Sequence, residues 1–196
     1  MVRMDKQQAL LNLIKNRRSI RKYRTEQVPD DLIKEIIDSG KHAASAFDCQ
    51  PWEFIVIKDN NKIRELLSDR LQQKEPPYAI NSQKYAEKYG IEKYGAVNPP
   101  PVLIAVLGNK KICPFLDSLL CSLSCCVENM MLAAYTLGLG TCWLYVYDME
   151  MPETEDFVKE QLDLEDNFMV LCLLTLGYPD EVPLEKKMRD CNIKWL

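Results

Sequence analysis

The stretch "SLLCSLSCCVENMMLAAYTLGLGT", residues 118–141, is the longest apolar run of the chain. Its reading separates a membrane protein from a packed globular one. Glu128, Asn129 and several serines interrupt it, and ionisable groups are costly in hydrocarbon. It therefore reads as a buried core helix. Its apolar residues cover more than one face around 127–137, as a helix wrapped by protein on all sides requires, so it is core or a dimer interface. Asp117 is placed to cap this helix, which is expected to run to about Leu137.

On either side lie strand signals. "PPPVLIAVLG" (99–108) is a buried strand after a run of prolines, and "TCWLYVY" (141–147) is a third strand or extended segment. "FMVLCLLTLGYP" (168–179) is a wholly apolar strand ended by Gly177 and Pro179, and "WEFIVIKD" (52–59) is a short one ending in turn residues. Asp59 is placed to cap a further helix with Ile63, Leu66, Leu67 and Leu71 on one face. Leu10, Leu13 and Ile14 make residues 5–16 an amphipathic helix. Pro29 and the Asp30–Asp31 pair open the next, striped by Leu32, Ile33, Ile36 and Ile37 and weakened near its end by Gly40. Residues 152–162 read as a helix with Phe157, Val158 and Leu162 inward. Residues 75–100, with Tyr78, Tyr85, Tyr89 and Tyr94, read as an excursion or lid. With no internal repeat or linker, the order of elements predicts one α+β or α/β domain over residues 1–196. The polar tail from residue 180 finishes on Trp195 and Leu196, and is expected to dock on another chain.

A hydrophobic content of 47% and a charged content of 28% are ordinary for a soluble globular protein. The acidic balance, pI about 5.2, argues against general nucleic-acid binding but leaves room for one local anion site. Residues 1–20 carry scattered charges and no secretory-type apolar run, so reduced thiols and a cytoplasmic location are expected. Of the eight cysteines no two are spaced C-x-x-C, and Cys121 and Cys125 lie one turn apart in the apolar helix, so no metal site is expected. Cys49 is the one thiol singled out for reactivity. The single histidine, His42, reads as a helix-end residue, and no histidine-based triad can be built.

"NRRSIRKYR" (16–24) stands apart. Residues 6–25 hold seven Lys and Arg and no acid, so a chain of net charge −4 is +7 here and −11 elsewhere. Arginine offers a planar fork of donors that grips phosphate bidentately. Arg17, Arg18, Ser19 and Arg21, with backbone N–H groups between them, suit one phosphate dianion. A solvated face and a nucleic-acid arm are the rival readings. In "ASAFDCQPW" (44–52) small residues let backbone approach a flat ligand, with Ser45 and Gln50 placed to hydrogen-bond its polar edge.

"RRSIR" (17–21), "ASAFDCQPW" (44–52), "VENMMLAAYTLGLGTCWL" (127–144) and "LGYPDEVPLEKKMR" (176–189), in that order, resemble the nitroreductase family of flavoproteins. The resemblance covers most of the chain apart from about 60–98. It implies an α+β fold with a central, mainly antiparallel sheet flanked by helices, in an intertwined homodimer binding FMN at each subunit interface. It also implies reduction of FMN by NADH or NADPH, followed by ping-pong transfer to nitroaromatic, quinone or similar acceptors. Arg17, Arg18, Ser19 and Arg21 then stand where the family holds the FMN phosphate and ribityl chain, and Lys187 and Arg189 match its late K-x-R. Ala44, Ser45, Ala46, Asp48 and Gln50 stand where the partner subunit meets the flavin. Trp143, Leu144 and Tyr145 follow the "GLGT" turn that lines the ring. The flavin carries the chemistry, so no catalytic side chain is required.

Three positions depart from the family pattern. Asp48 replaces the usual Asn, Ala44 the usual Pro, and Tyr145 a Gly or acidic residue. A charged Asp48 and a bulky Tyr145 motivate a second reading, a flavin-binding protein without efficient turnover, for storage or redox sensing.

Overall fold

The structure, a computed structural model, describes residues 6–58, 63–64, 100–147, 152–183, 186, 188 and 190–195. Among them four strands form one sheet: β1 Trp52–Ile57, β2 Val102–Asn109, β3 Gly140–Tyr145 and β4 Phe168–Gly177. Their order is β1-β2-β4-β3 and each pairing is antiparallel. The helices are α1 Lys6–Asn16, α2 Asp30–Lys41, α3 Leu116–Thr136 and α4 Glu153–Gln161.

The central strands lack polar alternation because both faces of the sheet are covered. Val102, Ile104 and Val106 of β2 pack toward α2 and α3, while Leu103, Ala105 and Leu107 pack with Val158, Phe157 and Leu162 on the other side. Strand β4 carries a bulge. Val106 pairs with Cys172 and Leu107 with Val170, so Leu171 is the extra residue. Its carbonyl accepts hydrogen bonds from the N–H groups of Val146 and Tyr147 at 3.1 and 3.3 Å, which ties the end of β3 to the sheet.

Helix α3 is the one described helix long and apolar enough to cross a membrane. Its environment is a protein core instead: Leu119, Leu123, Cys126, Val127, Met130 and Ala134 are buried. Two glycines let it approach. A Cβ on Gly108 of β2 would lie 2.7 Å from Leu123 Cδ1 and 2.8 Å from Leu119 Cδ1, and one on Gly40 of α2 would lie 2.6 Å from Met130 Cγ. Gly40 is therefore a close-packing residue more than a weak point of its helix.

Several expectations shift in detail. Asp117 sits inside the first turn of α3, favoured there by the helix dipole, while Phe115 occupies the cap position without a side-chain bond. Asp30 and Asp31 hold the first turn of α2 as expected, and His42 is its C-terminal cap residue. Leu10 and Ile14 of α1 have the predicted spacing but are 57% and 51% exposed. Among the described residues none covers Leu10 or Ile14, while Leu13 is half-buried. Trp195 is likewise 88% exposed. Of the helix predicted after Asp59, only Ile63 and Arg64 are described, and they are helical. Asp59 itself, the 75–99 excursion and Leu196 lie outside the described residues.

Candidate functional site

The basic stretch is held on the outer edge of β3. Ser19 bridges Thr141 in parallel register, and Ile20 N–H donates to Thr141 O at 2.9 Å. Ile20 and Tyr23 are its buried anchors. The Tyr23 hydroxyl bonds Ile20 O and Thr175 Oγ1. Burial pushes that hydroxyl well above its ordinary pKa, so it stays a donor. The edge needs Gly140: a Cβ there would lie 2.7 Å from both Cβ and Cγ1 of Ile20. A β-branched side chain cannot swing away without moving its backbone. Gly140→Ala is expected to destabilise the fold by about 1–3 kcal/mol. An unaltered midpoint in urea unfolding would contradict this packing.

Around these anchors the arginines meet a cavity of about 250 Å³, lined by Asn16, Arg17, Arg18, Tyr135, Gly138 and Glu181 among others. The Arg17 side chain is 19% exposed; its Nε lies 3.6 Å from Glu128 Oε1, while its buried Nη1 has no hydrogen-bond partner. A buried guanidinium N–H without an acceptor costs about 1–3 kcal/mol or more, so this atom calls for an anion. Arg18 donates its Nη1 to the carbonyls of Lys15 and Arg17, each at 2.8 Å, and so caps the end of α1. Ser19 is half-buried, held by its backbone bridge to Thr141.

Two acids absent from the local sequence join the cluster. Glu128 is 111 positions from Arg17, and Glu181 Oε1 accepts the N–H groups of Arg21 and Lys22, the latter at 3.1 Å. The patch is therefore less positive in space than in sequence. Lys187 and Arg189 lie outside the described residues.

The second candidate group is the loop after α2. A 3₁₀ turn, Ala46–Asp48, leads into it, and Phe47, Asp48 and Gln50 all have positive φ, at 53°, 53° and 47°. Such backbone costs about 1–3 kcal/mol per residue and persists only where its surroundings hold it. Here Ala46 N–H donates to Ser122 Oγ of α3 at 3.1 Å, and Gln50 N–H to Ser45 Oγ at 3.1 Å. Gln50 Nε2 donates to Asp48 Oδ1 at 3.0 Å. Ser45 and Gln50 thus brace the loop itself. Among the described residues Asp48 has no cation partner. Phe47, passed over in the sequence, is 91% exposed. A groove of about 370 Å³ runs beside the loop, between Ala44, Ser45 and Ala46 and the α3 residues Ser118, Cys121 and Cys125.

The two groups do not meet within one chain. They lie toward opposite ends of one exposed stripe of α3, which runs through Asp117, Cys121, Cys125, Glu128 and Tyr135. Ser122, beside the loop, and Glu128, beside Arg17, are about 9 Å apart along the axis at 1.5 Å per residue. Trp143, Leu144 and Tyr145 close β3: Trp143 packs into the α3 side of the core, Leu144 against Ile20, and Tyr145 is 44% exposed.

An antiparallel sheet covered on both faces, with a cluster of arginines near one end of its core helix and a strained loop near the other, defines an α+β fold. Residues 14–178 match the model of the nitroreductase family, and the chain belongs to that family. It is 31% identical over 182 residues to a Methanothermobacter thermautotrophicus protein with the provisional name NADH dehydrogenase/NAD(P)H nitroreductase, covering 92% of this chain and 83% of that one. A similarly named protein of Archaeoglobus fulgidus is 32% identical over 173 residues, covering 87% and 86%. Among solved structures, a nitroreductase with bound FMN from Bacteroides fragilis superposes with a TM-score of 0.72 at 26% identity, covering 95% of this chain and 98% of that one.

Proposed function

We propose that the protein is an FMN-dependent oxidoreductase that takes electrons from NADH or NADPH and passes them to nitroaromatic, quinone or similar acceptors by a ping-pong mechanism. The observation that carries this is the buried, unpartnered Nη1 of Arg17 beside a cavity at the end of α3. It fits the phosphate of a mononucleotide. The FMN bound by the Bacteroides fragilis relative and the names of the archaeal relatives support the same reading.

When bound, FMN supplies reversible hydride transfer at its ring. This chain's residues bind and orient it. Arg17 and Arg21, with Lys187 and Arg189, neutralise the phosphate, while Ser19 and the end of α1 position the ribityl chain. Trp143, Leu144 and Tyr145 line one side of the ring. The 44–50 loop serves a partner's site rather than its own. In a homodimer packed along the exposed stripe of α3, the cradle of one copy meets the loop of the other. The uncovered Leu10, Ile14, Phe47 and Trp195 are apolar surface for that interface. Residues 1–196 act as one domain, in the cytoplasm.

Asp48 sets a further expectation. At 5 Å its charge opposes a negative charge on the ring by about 1–3 kcal/mol, for effective dielectrics from 80 down to 20. Asp48→Asn is expected to raise the two-electron midpoint potential by about 20–60 mV. An unchanged potential in a spectroelectrochemical titration would remove Asp48 from the site.

Titration of purified protein with FMN tests the proposal, with sedimentation run in parallel. The expected result is one FMN per chain on a dimer. Failure to bind FMN, or equal binding by a monomer, would contradict it.

A further inference from the structure

The arginine stretch is clipped to a segment from the far end of the chain. Residues 21–24 and 178–181 run antiparallel, with an isolated bridge between Tyr23 and Pro179. Arg24 N–H donates to Tyr178 O and Asp180 N–H to Lys22 O, each at 2.9 Å. Arg24 Nε donates to Pro179 O at 3.1 Å. Glu181, 160 positions from Arg21, closes the pairing with its side chain. Its Oε1 accepts the successive N–H groups of Arg21 and Lys22, the latter at 3.1 Å. Successive backbone N–H groups that converge on one point form an anion-binding nest. Here the protein supplies the anion itself. Pro179, Glu181 and Pro183 also line the cavity beside Arg17 and Arg18. The carboxylate therefore stands in the wall of the candidate phosphate site, on the backbone that carries Arg21.

We propose that Glu181 is a positioning residue for the phosphate site. It holds the Arg21–Lys22 backbone in place before the ligand arrives, and it stays on those two N–H groups when the phosphate binds. This role rests on the FMN reading above. The charge of Glu181 and its hydrogen bonds act in opposite directions. A negative charge beside the cavity opposes a phosphate dianion and so weakens binding. The two bonds fix backbone that would otherwise be ordered only on binding, which strengthens it. They also close these two N–H groups to the phosphate. That leaves Arg17 Nη1, buried and without a partner, as the donor turned to the ligand. Glu181 thus selects which donors of the cluster meet the phosphate without touching it.

The test titrates FMN and riboflavin, which has the same ring and ribityl chain but no phosphate, into the full-length protein and two variants. Glu181→Ala is expected to weaken FMN binding by about tenfold, the size of one bond to a charged group, and riboflavin binding by less than about twofold. Glu181→Gln keeps an oxygen for both N–H groups and loses the charge, so it is expected to bind FMN at least as tightly as wild type. Unchanged or tighter FMN binding by Glu181→Ala, an equal loss for both flavins, or a Glu181→Gln as weak as the alanine variant would overturn the proposal. One arm needs no variant. In wild-type protein the amide hydrogens of Arg21 and Lys22, followed by NMR, are expected to exchange slowly both before and after FMN is added. Faster exchange in the FMN complex would mean that the phosphate displaces Glu181, and would overturn the proposal as well. Absence of FMN binding by the wild-type protein is a different result: it refutes the flavin reading, and this role with it.

Discussion

Replacing Arg17 and Arg21 together by alanine is expected to weaken FMN binding by about two to four orders of magnitude, because each charge-assisted hydrogen bond to a phosphate contributes about 1.5–3 kcal/mol. Arg17 dominates the argument. Its Nε edge is pinned toward Glu128 and its Nη1 is buried without an acceptor. An arginine held in this way has lost much of its side-chain freedom before the ligand arrives, which lowers the ordering cost of binding. Removing it also frees Glu128, which then adds an uncompensated negative charge near the phosphate. Isothermal titration with FMN measures the loss. Retention of the wild-type Kd by the double variant would locate the phosphate elsewhere.

The largest effect on stability is expected from Leu123→Ala, a loss of about 2–5 kcal/mol. Leu123 is fully buried, and its Cδ1 fills the space that the missing side chain of Gly108 leaves over β2. Neither neighbour can collapse into the hole readily. Gly108 is paired across the sheet with Trp52 and Met169, and Leu119 is already seated over the same glycine. Denaturant unfolding with unchanged slope and a lowered midpoint is the expected result. A cost under about 1 kcal/mol would mean that the α3–β2 contact is looser than the structure shows.

The scaffold was legible in the sequence because its signals are local. The runs at 102–107 and 168–176 are apolar on both faces, so a strand was readable without any partner in view. The helix starting at Asp30 announced itself through Pro29 and its acids. What escaped were relations between distant residues. Nothing near Glu128 or Glu181 in sequence points to Arg17 or to the Arg21 backbone; only the docking of α1 on α3 and of residue 178 beside Arg24 brings them together. The positive φ at Phe47 and Asp48 was equally hidden, since neither is glycine, the residue that advertises such backbone. Gly40 misled in the opposite sense. Its low helix propensity was visible, whereas the approach of Met130 that requires it was not. Arg18 shows the limit of residue type as evidence: an arginine in a phosphate-like motif turns one nitrogen to cap its own helix.

Anaerobic addition of NADH, and separately of NADPH, to the FMN-loaded protein tests the central claim most directly. The account predicts that at least one of them bleaches the flavin absorbance within the turnover time, and that a nitroaromatic or quinone then restores it. A flavin that stays oxidised with both nicotinamides would contradict the account and leave a carrier or sensor of FMN in place of an enzyme.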